Sequence, residues 1–349
     1  MASALRAGLP CLFVALVLLG RGSVRFGAAA AVLLVCSQYV ATGGAVLHQS
    51  RTFFGVHRVA QNPGATWCML YHGTTIHGIQ VKSEHVPAPS EGLPTDGPAT
   101  RDALFFSPRQ SFTRDQRIAM SHLIPSTYYH PTGPIGDVFS LMLSEHRLRN
   151  AGFIGMGSGS LAAYGRPGTT LDFYEIDPQV VAIARAPELF TYLSSSLADE
   201  IRLFLGDGRI EMSKRPDASY DLIAVDAFSS DAIPVHLITR EAFKMYLSKL
   251  RPGGLLAFHI SNRYFDLAPV LARLAAQENR FAYLRVDDVI SREETAEGKN
   301  DSNWVVVCRT PDEFAPFSSL PLWRPLLDKP EYPAWTDDYA NVLSVFVGW

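Results

Sequence analysis

Four groups of residues in the middle of this chain have the types and spacing to grip a ribose-bearing ligand. The first is Gly155-Met156-Gly157-Ser158-Gly159-Ser160-Leu161-Ala162, which follows the short apolar segment Phe153-Ile154. Glycines let a backbone come close to a ligand, and a helix opening there would offer free N–H groups. A tight turn without a ligand reads the same way in isolation, and the third glycine comes too soon for the dinucleotide fingerprint. The second is Glu175, at the end of the next apolar run. An acid there can accept hydrogen bonds from both ribose hydroxyls. Its neighbour Asp177 precedes Pro178 and is explained as a helix N-cap. The third is Asp207-Gly208, a carboxylate able to accept from the exocyclic amine of adenine, or else a turn aspartate. The fourth is the loop Asp226-Ala227-Phe228-Ser229-Ser230-Asp231-Ala232-Ile233-Pro234. Its two carboxylates would draw a cationic amine through charge-assisted hydrogen bonds. Asp231 reads equally as a loop or capping residue, whereas Asp226 sits at a strand end. His259 holds the same position on the following strand and reads as a buried, hydrogen-bonded histidine.

Such groups work only if a scaffold brings them to one edge. Strand patterns at residues 153–154, 170–176, 201–205, 220–225, 255–260, 281–286 and 304–308 alternate with helix patterns at 178–185, 239–250 and 267–277. The nearly continuous apolar run at 220–225 suits a strand covered on both faces. The expectation is an α/β fold with a doubly wound, mostly parallel sheet. In an open sheet of this kind the ligand crevice lies at the carboxyl ends of the strands. Upstream, short strands at 52–59, 68–71 and 76–81 surround the turn signals Gln61-Asn62-Pro63-Gly64 and His72-Gly73, so a small antiparallel unit is expected. Residues 81–125 show no sustained period and read as a long loop with a short helix near 113–123. The chain divides into an apolar segment (1–50), the β unit with its loop (51–135) and the α/β domain (136–349).

A formal net charge of −3 argues against a broad basic face and so against nucleic acid as a partner. Cys11, Cys36, Cys68 and Cys308 form no CxxC pair and join no histidine cluster, so neither a disulfide framework nor a metal site is expected. Two apolar runs occupy the N-terminus. Residues 9–19 are too few to span a bilayer, and 27–46 are about the right length. A signal peptide, a helical hairpin and a single anchor are all compatible, with the membrane readings ahead. Positive-inside counting on Arg21 and Arg25 places the following domain outside. The supply of nucleosides places it in the cytoplasm, and a membrane-associated chain with a cytoplasmic α/β domain is the expectation kept.

From Gly155 through Glu175-Ile176-Asp177, Asp207 and the Asp226 loop, the chain resembles the spermidine synthase family of aminopropyltransferases. It is more closely similar to the bacterial membrane-fused spermidine synthase-like proteins. That likeness is carried by Tyr128-Tyr129-His130-Pro131-Thr132-Gly133-Pro134, by Phe258-His259-Ile260-Ser261-Asn262 and by His72-Gly73-Thr74-Thr75-Ile76-His77-Gly78-Ile79-Gln80. The resemblance runs from about Arg51 to the C-terminus. It implies a sheet of the S-adenosylmethionine-dependent methyltransferase type, with N-terminal apolar helices as the remnant of a transporter-like region.

The resemblance also implies roles. Asp226 would be the catalytic acid, with Tyr129 and His130 as the Tyr-His pair beside the substrate, and Asp231 would be the second acid. Gln80 would lie near the sulfonium nucleoside. Gly155, Gly157, Gly159, Glu175, Asp207 and Gly208 would surround decarboxylated S-adenosylmethionine as co-substrate, with no metal. A small-molecule amine would be the partner, and a homodimer is left open. Three positions depart from the family. His77 replaces the acid before the glycine of its Asp-Gly strand, Pro131 replaces the glutamate after Tyr-His, and Asp226 and Asp231 stand further apart. These acids hold the diamine, so the departures bear on the acceptor rather than on the nucleoside. Two other readings stay open: a methyltransferase using S-adenosylmethionine, and a non-catalytic nucleoside-binding, membrane-associated domain.

Overall fold

A computed structural model describes residues 26–27, 44–73, 75–82, 93–107, 111–227, 234–316 and 322–347. Strands β1 (Val46–Arg51), β2 (Val56–Gln61), β3 (Trp67–His72) and β4 (Thr75–Val81) form an antiparallel sheet in sequential order. The turn signals at Asn62-Pro63-Gly64 and His72-Gly73 fall between its strands. The strand expected at 52–59 begins later, because the amide of Thr52 closes a turn onto the carbonyl of Gly55.

The second sheet contains β5 (Asn150–Ile154), β6 (Thr170–Glu175), β7 (Glu200–Leu205), β8 (Tyr220–Val225), β9 (Leu250–His259), β10 (Phe281–Asp287), β11 (Ser302–Cys308) and β12 (Trp323–Pro325). Their spatial order is β12-β10-β11-β9-β8-β5-β6-β7. The five strands β5 to β9 are parallel, and the rest pair antiparallel at one edge. Chain direction across the sheet reverses between β5 and β8, the switch point where doubly wound sheets open a crevice. Alternation along β8 shows why the sheet is covered twice. Leu222 and Ala224 join a core with Phe139 and Phe153, whereas Ile223 and Val225 join another with Phe243 and Leu271. Each large side chain so buried contributes about 1.5–3 kcal/mol.

Several expectations need correction. Residues 81–125 hold two helices, Pro98–Phe106 and Arg114–Ala119, the second opened by a Thr113/Gln116 capping box. The helix Pro134–Ser144 was not anticipated. The segment Pro252-Gly253-Gly254 falls between the helix expected at 239–250 and the strand expected at 255–260. It lies inside β9, where pairing with β8 shifts register. The glycine loop opens a 3₁₀ segment, Ser160–Tyr164, rather than an α-helix. Among the described residues no helix is long and apolar enough to cross a membrane, which overturns the expectation of a membrane-associated chain. The apolar run at 9–19, and most of that at 27–46, lie outside the described residues.

Candidate active site

The crevice is built by close approach of backbone. Gly155 has φ +96°, and a Cβ there would lie 2.3 Å from the carbonyl oxygen of Asp226, so only glycine lets the loop after β5 pass the end of β8. Gly157, at φ +53°, would place a Cβ 2.6 Å from the carbonyl of His77, which is how the antiparallel sheet closes onto the loop. Glu175 at the end of β6 accepts from Met156 N at 3.1 Å and from Asp177 N at 2.9 Å, so its carboxylate is turned to the glycine loop. Burial pushes this carboxyl up to about 7, against the pull of those two amides. Asp207 caps the helix Gly208–Ser213 through Ile210 N at 3.0 Å and pairs with His236 Nε2 at 2.8 Å.

These groups border a cavity of about 520 Å³ that also reaches Asp226. Phe54, His57, Leu70, His72 and His77 of the antiparallel sheet form its other wall. Asp177 caps the helix Pro178–Arg185 through Gln179 N, and also accepts from Thr52 Oγ1 at 2.5 Å and pairs with His57 Nε2 at 2.7 Å. One carboxylate thereby joins both sheets. Burial, with His57 nearby, lowers His72 from the ordinary histidine value, so its ring is neutral near pH 7.

Asp226 follows β8 with its side chain 3% exposed. Its Oδ2 accepts from the phenol of Tyr129, and its Oδ1 lies 2.6 Å from His259 Nδ1. Burial and then the charge of Asp226 raise the Tyr129 phenol well above its ordinary value, so it stays protonated and donates. His259, at the end of β9, lies between the rings of Tyr128 (4.1 Å) and Trp304 (4.9 Å), and its Nε2 is 2.8 Å from Ser261 Oγ. Just ahead of the two tyrosines Thr127 has φ +62°, unusual for a β-branched residue, and its backbone is tied to Gly298 and Asn300. A second cavity, about 690 Å³, is lined by Tyr128, His259, Ser261, Asn262, Asp301 and Ser302 among others, and His77 belongs to the walls of both.

Not every expected residue reaches these cavities. Gln80 is buried, with its amide engaged by Thr191 N, Thr191 Oγ1 and the carbonyl of His122, so it ties the β unit to the α/β domain and borders neither cavity. His130 is buried against Thr132 and Glu297 and also borders neither. Tyr129 sits behind Asp226, and it is Tyr128 that faces the second cavity. Gly159, at φ +81°, packs against Leu193 rather than on the cavity. Asp231 lies outside the described residues. His57, His72, His236, Tyr128 and Ser261 were missed as site residues. Ser261 lies beyond the end of β9, so strand alternation gave no signal for it. The segment Trp335-Thr336-Asp337-Asp338-Tyr339-Ala340-Asn341 folds back toward Asp207-Gly208: Asp337 accepts from Arg209 and from Thr239, each at 2.7 Å.

Strand order and crevice together define a methyltransferase-like α/β fold, mostly parallel and preceded by an antiparallel sheet. No family model matches the chain. It is 35% identical over 108 residues to a polyamine aminopropyltransferase of Vibrio vulnificus, a match covering 30% of this chain and 34% of that protein. It is 33% identical over 87 residues to putrescine N-methyltransferase 3 of Nicotiana tabacum, covering 25% and 22% respectively. The matches thus span about a third or less of those relatives. Among solved structures, a probable spermidine synthase from Corynebacterium glutamicum is 13% identical with a TM-score of 0.46, covering 76% of this chain and 79% of that one.

Proposed function

We propose that this protein belongs with the spermidine synthases and transfers an aminopropyl group from decarboxylated S-adenosylmethionine to a putrescine-like amine, releasing methylthioadenosine. The observation that carries this reading is the charge of the first cavity. Its described lining holds the carboxylates of Glu175, Asp177, Asp207 and Asp226 and no lysine or arginine. A donor that ends in an ammonium group suits this lining. One that ends in a carboxylate would find no guanidinium or ammonium partner there. The similarity to a polyamine aminopropyltransferase points the same way.

In this reading Glu175 accepts the ribose hydroxyls beside the Gly155–Gly157 backbone, and Asp207-Gly208 borders the adenine. The sulfonium makes the neighbouring carbon electrophilic. The acceptor amine comes from the second cavity and attacks that carbon opposite the sulfur, which leaves as a neutral thioether. Asp226, held by Tyr129, fixes the amine in line; such alignment is a large part of the rate enhancement available to a reaction of this kind. Asp231 is proposed as the second acid of the amine site.

The similarity to a putrescine N-methyltransferase favours one rival, methyl transfer from S-adenosylmethionine. Incubation with each nucleoside and a panel of putrescine, cadaverine, 1,3-diaminopropane and spermidine separates them by mass spectrometry. Aminopropylated product with the decarboxylated donor is expected. Methylated amine with the carboxylated donor would replace this reading by its rival.

A further inference from the structure

We propose that His259, acting through Ser261, accepts the proton lost by the acceptor amine. The inference rests on the aminopropyl-transfer reading above and assigns a step within it. Both oxygens of Asp226 already have partners, Tyr129 on one and His259 Nδ1 on the other. An ionised carboxylate only accepts, so Nδ1 must carry the hydrogen and Nε2 is left as the basic nitrogen. Ser261 Oγ accepts from Asn303 N at 2.8 Å, which leaves its own hydrogen to donate to Nε2 at 2.8 Å. The order Asp226–His259–Ser261 has the geometry by which a carboxylate orients an imidazole as a general base. Its two ends face different rooms. Asp226 borders the donor cavity, and His259 and Ser261 border the second cavity.

The step balances. An entering ammonium gives one proton to Ser261 Oγ as the serine hydrogen moves to Nε2, which leaves a neutral amine and an imidazolium. The amine lone pair forms the C–N bond, the C–S electron pair departs with sulfur, and the imidazolium returns its proton to solvent through the second cavity. Tyr128 and Trp304 present ring faces to the imidazole on both sides, and Asp226 holds its Nδ1. The other ionisable groups around it are the phenols of Tyr128 and Tyr129, with His77, Arg263, Asp288 and Asp301 in the wall of the second cavity.

The test is the pH profile of turnover at saturating donor for wild type, His259→Gln and Ser261→Ala, with methylthioadenosine binding and a thermal melt as folding controls. General-base loss of this kind costs about 10²–10⁴-fold. His259→Gln should lose that much near pH 7 and regain activity at high pH, where solvent supplies neutral amine. Ser261→Ala should lose about tenfold with the same recovery, since a water can replace the hydroxyl as carrier. A deficit equal at every pH, or none, would overturn the assignment. If His259→Gln does not fold, the Ser261→Ala profile decides alone. Wild type that makes no aminopropylated product with any amine in the panel would instead defeat the transfer reading, and this step with it.

Discussion

Asp172 and Asp226 are both buried aspartates on one sheet, and each has a tyrosine and a basic group as partners. Asp172, within β6, receives two hydrogen bonds from Arg202, at 2.6 and 2.9 Å, and one from Tyr220 at 2.6 Å. Asp226, just past β8, has Tyr129 and His259. Of the two, Asp226 borders a cavity, and its basic partner is an imidazole, a side chain that can serve as a general base. A permanently charged arginine makes Asp172 part of the scaffold. An imidazole that borders the second cavity gives Asp226 a place in the proposed reaction.

Asp226→Asn is the sharpest test of that contrast. It should lower turnover about 10³-fold while methylthioadenosine affinity stays within about threefold, read by steady-state kinetics and calorimetry. Asp172→Asn should do the reverse. It removes one member of a buried pair and should cost about 2–4 kcal/mol in urea unfolding, with turnover per folded molecule unchanged. If Asp172→Asn cut turnover as deeply as Asp226→Asn, the distinction would collapse.

Glu175 carries the contrast to ligand binding. With its carboxyl near 7, only the ionised form accepts both ribose hydroxyls, so methylthioadenosine should bind about tenfold more tightly at pH 8 than at pH 6. Glu175→Gln should flatten that dependence in a fluorescence or calorimetric titration. For stability the sign is opposite. A raised carboxyl favours the folded state below the unfolded value, and this contribution is lost as pH rises through about 7. The smallest effect is expected from Gln80→Ala, about 1–2 kcal/mol of unfolding free energy from its lost hydrogen bonds. Donor affinity should be unaltered, and a specific loss of affinity would return Gln80 to the nucleoside site.

The parallel strands β5 to β8 and the residues at their ends were legible because each is a short run that stops at glycine or acid. Glu175, Asp207 and Asp226 could therefore be placed on one rim from chain order alone. The antiparallel wall was legible as strands but not as part of the cavity, since nothing local says that His57 and Asp177 meet across 120 positions. Gln80 and His130 were misplaced for a related reason. A polar side chain near a site reads the same whether it faces a ligand or is satisfied by Thr191 or Glu297. The helices at Pro98–Phe106 and Pro134–Ser144 were missed although each begins with proline, a residue that also marks loops.

Asp177 has a consequence for how the molecule comes apart. Hydrogen bonds from Thr52 and His57 to this one side chain help pin the small sheet to the larger one across the seam that holds the cavity, together with Gln80 and the packing of Val59 and Leu70 on Ile183 and Phe190. A nucleoside lodged in the seam would act as a keystone between two blocks of unequal strength. With the keystone out, amides of β1 to β4 should exchange first, and with it in, they should share the protection of the larger sheet.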